Sequence, residues 1–170
     1  MTILKALRDP QLLGALPAFR DLTSWSAWEA FLSAVYGLPM SEAQLATLRA
    51  HTGRTAPREG GYAEAVAIVG RQSGKSEIAA ALAVFEAISA QREPGRGETY
   101  AGPVAQDARA ALRTLFRYAS TPFETSPLLE KFVMGSTQDT LALENGTVIA
   151  GPARKRRPTG YRRLRVSSFR

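Results

Sequence analysis

The stretch Ala65-Val66-Ala67-Ile68-Val69-Gly70-Arg71-Gln72-Ser73-Gly74-Lys75-Ser76 passes from a short apolar run into a glycine turn and then into a helical pattern. Successive apolar residues over Ala65 to Val69 are compatible with a strand buried on both faces. From Lys75 to Gln91, Ile78, Ala81, Leu82, Phe85 and Ile88 recur at helical spacing and share one side. The expected unit is strand, glycine turn over Gly70 to Gly74, helix, and that context gives weight to Gly74-Lys75-Ser76. Phosphate oxygens are held by backbone N–H groups converging on one concavity, and Ser73 and Gly74 are small enough to let the chain wrap an anion closely. The helix start adds unsatisfied amides and a positive dipole end. In this reading Lys75 reaches the β and γ phosphates of a nucleotide and the Ser76 hydroxyl ligates Mg²⁺. The first glycine of G-x-x-x-x-G-K-[ST] falls at Val69, with Gly70 one place late. A glycine turn that binds nothing is therefore the alternative reading.

Toward the C-terminus, Arg92 to Gly97 reads as a loop, Thr99 to Val104 as a second strand, and Ala105 to Tyr118 as a helix with Ala108, Leu112, Leu115 and Phe116 on one face. Leu141 to Leu143, Asn145-Gly146, and Thr147 to Ala150 read as a hairpin with a type I′ turn. Leu164 to Val166 is a last apolar fragment. Alternating strand and helix predicts an α/β fold with a parallel sheet flanked by helices.

Toward the N-terminus, Trp25, Trp28, Phe31, Leu32 and Tyr36 form a helical stripe of the kind that usually belongs to a core. Pro39 is expected to end that helix and Ser41 to cap the next, Glu42 to Ala50. Thr52 to Gly61, with Gly53, Pro57, Gly60 and Gly61, reads as a linker. The expected division is a helical lead-in and linker over 1–58 and a nucleotide-binding domain over 59–170.

At 170 residues, 45% hydrophobic and 22% charged, the chain has globular composition and room for one ordinary domain. Its longest apolar run, Ile78 to Phe85, covers 8 residues, against about 18 for a bilayer span. With no cysteine, thiolate zinc sites and cysteine nucleophiles are excluded and an intracellular setting is favoured. With His51 the one histidine, a site with two imidazole ligands is impossible, and its mostly polar run favours a solvated side chain. The net charge is +7, and Arg154, Lys155, Arg156, Arg157, Arg162, Arg163, Arg165 and Arg170 supply eight bases with no acid after Gly151. Removing these eight leaves −1 for the rest of the chain. Such a segment attracts phosphate backbones through counterion release; a solvated basic tail is the bland reading.

Gly70-Arg71-Gln72-Ser73-Gly74-Lys75-Ser76 resembles the variant phosphate loop of the terminase large subunit, the ATPase motor that packages DNA into the heads of tailed phages. A basic residue early in that loop is common in the family, and Arg71 matches it. Trp28 to Thr52 is similar to the family's helical lead-in, and Ala105-Gln106-Asp107-Ala108-Arg109 to the opening of its next helix. The segments Leu143 to Ile149 and Gly160 to Val166 look like the following hairpin and the lead into the next core strand. The resemblance implies a phosphate-loop NTPase fold, ATP and Mg²⁺ as cofactors, and a binding loop made of Gly70, Arg71, Gln72, Ser73, Gly74, Lys75 and Ser76. Ser76 would hold the metal, Lys75 the phosphates, and Arg71 would stabilise charge on the γ phosphate. Gln44 stands where some relatives contact adenine, a surface glutamine being the alternative. The implied partners are double-stranded DNA, a small terminase subunit, the portal and further copies of the chain. The implied location is the cytoplasm of a bacterial host, without a membrane.

Motors of that family also use an apolar strand ending in an Asp-Glu pair, whose Asp holds Mg²⁺ and whose Glu polarises water. No two acids are adjacent anywhere in this chain. The family's acid-bearing strand would begin near Leu164, so the expectation is an ATP-binding portion cut before its carboxylates, with hydrolysis in question and the nuclease domain missing. Glu144, after Leu141-Ala142-Leu143, is a substitute acid by position, but it abuts the Asn145-Gly146 turn and is expected at a hairpin corner rather than beside the phosphates. The alternative function is a nucleic-acid-binding module acting through the basic C-terminal segment. With the acid-bearing strand incomplete, bare apolar surface and marginal stability or association are expected.

Overall fold

A computed structural model describes residues 1–89, 99–101, 110–138, 140–150 and 163–168. The helices are α1 (Ile3–Arg8), α2 (Ser26–Tyr36), α3 (Glu42–Thr52), α4 (Lys75–Ser89), α5 (Ala110–Thr125) and α6 (Pro127–Glu130). The strands are β1 (Glu64–Val69), β2 (Thr99–Ala101), β3 (Val133–Ser136), β4 (Thr140–Leu143), β5 (Thr147–Ala150) and β6 (Arg163–Ser168). The chain is thus mixed helix and strand. The expected loop at Arg92 to Gly97, the end of the second strand, the helix start at Ala105 to Arg109 and most of the basic segment lie outside the described residues.

Two compact units divide the chain, one made of Met1–Arg20 and Gly74–Pro158, the other of Asp21–Ser73 and Thr159–Arg170. In the first, a four-stranded sheet has the order β2-β5-β4-β3; β3, β4 and β5 are antiparallel, and β2 joins β5 in parallel. α4 packs on β5, α5 and α1. Its fully buried side chains include Ile3, Leu7, Leu13, Ile78, Val84, Leu129, Leu143 and Ile149. Ser126 fastens this core from its edge: its Oγ donates to the Gln11 carbonyl and accepts from the Leu129 N–H as the cap of α6.

α5 runs beyond the expected end at Tyr118 to Thr125, through Pro122. Ala119 and Phe123 are buried and continue the stripe of Leu115 and Phe116. Burial of that stripe offsets the roughly 3 kcal/mol that an interior proline costs a helix.

The hairpin between β4 and β5 forms where expected, but its turn is not type I′. Gly146 has φ 75°, whereas Asn145 is not left-handed, and a type I′ turn needs positive φ at both central residues. The Gly146 N–H donates to the Leu143 carbonyl at 3.0 Å, closing a turn that ends in a left-handed glycine. Asn145 instead spends its side chain, donating from Nδ2 to the Ala87 carbonyl in the last turn of α4 at 2.7 Å and accepting from the Thr147 N–H at 3.1 Å.

In the second unit α2 packs on α3, and β1 pairs with β6 in parallel from Glu64 opposite Arg163 to Val69 opposite Ser168. Gly37, at φ 63°, ends α2 two residues before Pro39; its N–H and that of Leu38 donate to carbonyls of the last turn. Ser41 caps α3 as expected, which runs on to Thr52. Asp21 accepts the side-chain hydroxyl and the backbone N–H of Thr23, which hold its carboxyl below the usual range. The segment expected as a linker is anchored at its end: Gly61 is buried, and the Tyr62 N–H donates to the Val35 carbonyl at 2.8 Å.

β1 is not buried on both faces. Ala67 is 9% exposed, but Val66 and Ile68 are 58% and 62% exposed. The alternation is that of a strand with one covered face, because β6 is its one partner strand among the described residues and covers an edge, not a face.

Candidate functional site: the loop from Gly70 to Ser76

β1 ends at Val69, the chain turns through Gly70 to Gly74, and the 15-residue α4 begins at Lys75. The strand, turn and helix therefore occur at the predicted positions. Two residues of the turn, Gln72 at φ 57° and Gly74 at φ 72°, lie in the left-handed region on either side of Ser73. Gln72 is the only non-glycine with positive φ among the described residues. A left-handed glutamine costs roughly 1 kcal/mol or more, so the turn is held by its surroundings rather than by local preference.

One such hold is visible. The indole Nε1 of Trp28, on α2, donates to the Ser73 carbonyl at 2.7 Å. Trp28 is 9% exposed and meets Phe31 edge to face, with ring centroids 5.6 Å apart. The Trp28 side chain, expected as plain core, thus also reaches the loop, a contact that the helical stripe does not signal. Ser73 Oγ is closed off from solvent and bonds no protein group among the described residues.

Arg71, Gln72 and Gly70 are exposed, while Lys75 and Ser76 are half-buried at the first turn of α4. The Ile78 N–H donates to the Gly74 carbonyl at 3.0 Å, so the helical ladder starts at Gly74. The amides of the first turn have no intrahelical partner. The set comprises a lysine, an exposed arginine, two small hydroxyl side chains and helix-start amides: donors suited to an oxyanion. No cluster of three or more His, Asp or Glu side chains that could hold a metal occurs among the described residues.

Gln44, Glu144 and His51 are engaged elsewhere or exposed. Gln44 gives its Oε1 to the Ser41 N–H at 2.9 Å while its own N–H donates to Ser41 Oγ, a reciprocal helix cap. Glu144 is exposed at the hairpin corner, with its N–H on the Phe132 carbonyl. His51 is exposed in the last turn of α3. No helix among the described residues is long and apolar enough to cross a membrane. In comparison with known proteins, the chain matches no family model, no curated protein and no solved structure.

Proposed function

We propose that this chain is the ATP-binding, N-terminal portion of a DNA-packaging motor like the terminase large subunit of tailed phages. The observation that carries the reading is the loop itself. Gly70 to Ser76 joins a strand to a long helix, curls through left-handed Gln72 and Gly74, and places Lys75 and Ser76 on the first helical turn. The orphaned Ser73 hydroxyl fits the same chemistry, since an oxygen-rich ligand supplies what the protein does not. Parallel pairing of β6 with β1 is further support: it sets Ser168 opposite Val69, so both strands run toward the loop end. In the resembling family the acid-bearing strand would begin near Leu164, within β6, and this pair would be the start of a parallel sheet flanked by helices. Lys75 would hold the β and γ phosphates, Ser76 the Mg²⁺, and Arg71 the charge on the γ phosphate, with the amides of residues 70–76 around them.

Without adjacent acids in its 170 residues, this chain on that reading holds nucleotide and hydrolyses it slowly or not at all. Titration with a fluorescent ATP analogue in Mg²⁺ is expected to show saturable binding that Lys75→Ala weakens by at least about tenfold, equivalent to 1.4 kcal/mol. Phosphate release should stay near background in both proteins. Equal affinity of the two proteins would end the reading.

The partners on this reading are double-stranded DNA, a small terminase subunit, a portal and further copies of the chain, in bacterial cytoplasm. The basic segment after Gly151 carries a second reading, a nucleic-acid binder without turnover. Duplex DNA affinity is expected to fall by about 10³-fold or more between 50 and 200 mM salt if six or more phosphates are contacted. Deletion after Gly151 should abolish that binding while nucleotide affinity persists. DNA binding that survives the deletion would remove the segment from the account.

A further inference from the structure

We infer that Trp28 is a positioning residue of the phosphate loop, its indole N–H setting the direction in which the Gly74 amide points; the inference rests on the nucleotide-binding reading above. Nε1 of Trp28 donates to the Ser73 carbonyl at 2.7 Å across 45 positions of sequence. A carbonyl and the N–H of the same trans peptide point in opposite directions within one rigid plane. Fixing the Ser73 carbonyl on the indole therefore aims the following N–H, that of Gly74, away from Trp28. Gln72 and Gly74 are both left-handed on either side of Ser73, and glycine takes φ of either sign at no steric cost, so Gly74 admits more than one orientation of this peptide. The bond selects one orientation among them.

Trp28 is suited to the task because it cannot itself move freely. It is 9% exposed, packs edge to face on Phe31, and stands on α2 among the buried Ala30, Leu32, Ser33 and Val35. The Ser73 carbonyl thus has a rigid donor where water would impose no direction. A preset amide spares a bound phosphate the ordering cost it would otherwise bear. Phenylalanine at position 28 retains an aromatic ring but offers no N–H, so that the carbonyl is released.

The test uses the two tryptophans as reporters. With ¹⁵N-indole labelling the full chain gives two side-chain N–H resonances, assigned by Trp25→Phe. Addition of ATP with Mg²⁺ is expected to shift the Trp28 resonance saturably, following occupancy measured with the fluorescent analogue, and to leave that of Trp25 in place. Trp28→Phe should weaken ATP binding about tenfold, the worth of one well-aimed donor, while Trp25→Phe binds as the parent does. If the parent binds ATP, a static Trp28 resonance overturns the inference and leaves the phosphate loop standing. Parental affinity in a folded Trp28→Phe protein would do the same. If Trp28→Phe fails to fold, the parent's resonance still decides. No ATP binding by the parent removes both the loop reading and this one.

Discussion

Ser73 carries two polar groups with opposite fates. Its carbonyl accepts the Trp28 indole, while its hydroxyl is shut from water and bonded to no protein group among the described residues. A buried hydroxyl without a partner destabilises a fold by about 1–3 kcal/mol. Ser73→Ala is therefore expected to leave stability unchanged or to raise it by about 1 kcal/mol in urea denaturation, while lowering affinity for the ATP analogue. A loss of stability instead would mean that the hydroxyl serves the protein's own packing. The letters Gly74-Lys75-Ser76 made the loop legible, because small residues and a helix start impose local geometry. The left-handed Gln72 was not legible, since no local preference of glutamine favours it.

At the level of elements, most helices and strands announce themselves through periodicity, and the departures occur where distant backbone intervenes. Asn145-Gly146 favours a type I′ turn locally, but the α4 carbonyl of Ala87 captures the asparagine amide and Asn145 stays out of the left-handed region. α5 continues past Pro122 because Phe123 finds a buried place. The glycine-rich tract before β1 resembles a free linker by composition, yet Gly61 lies against the backbone of Val35, Tyr36 and Gly37 at the end of α2. A Cβ there would collide with main-chain atoms that cannot yield, and φ is +74°. Gly61→Ala is expected to cost about 2 kcal/mol or more, read as a lowered midpoint of thermal unfolding. The same change at Gly60, which is exposed with open space around its Cβ direction and is also left-handed at φ 73°, should cost only the conformational part, about 1 kcal/mol.

For the molecule as a whole, the decisive surface is the bare face of β1. Val66 and Ile68 are more than half exposed side by side on one face of a two-stranded pair. Uncovered β-branched residues on a short sheet favour association. The chain is expected to self-associate with rising concentration, and Val66→Thr with Ile68→Thr to lower the apparent mass in light scattering while retaining strand propensity. A monomer at all concentrations for both proteins would show that this face does not drive association.

Local chemistry, read from sequence alone, determined the strand, turn and helix around the loop, the cap of α3, the hairpin's place and the charge imbalance. Each depends on neighbours a few residues apart. Only the tertiary structure decided that Met1–Arg20 joins the unit holding α4, since the periodicity of Ile3 and Leu7 says that they are buried and not against what. It alone brought Trp28 to Ser73 and Gly61 to Val35. Such pairings are selected by burial and by the requirement that buried carbonyls and amides find partners, and those conditions are met in space rather than along the chain.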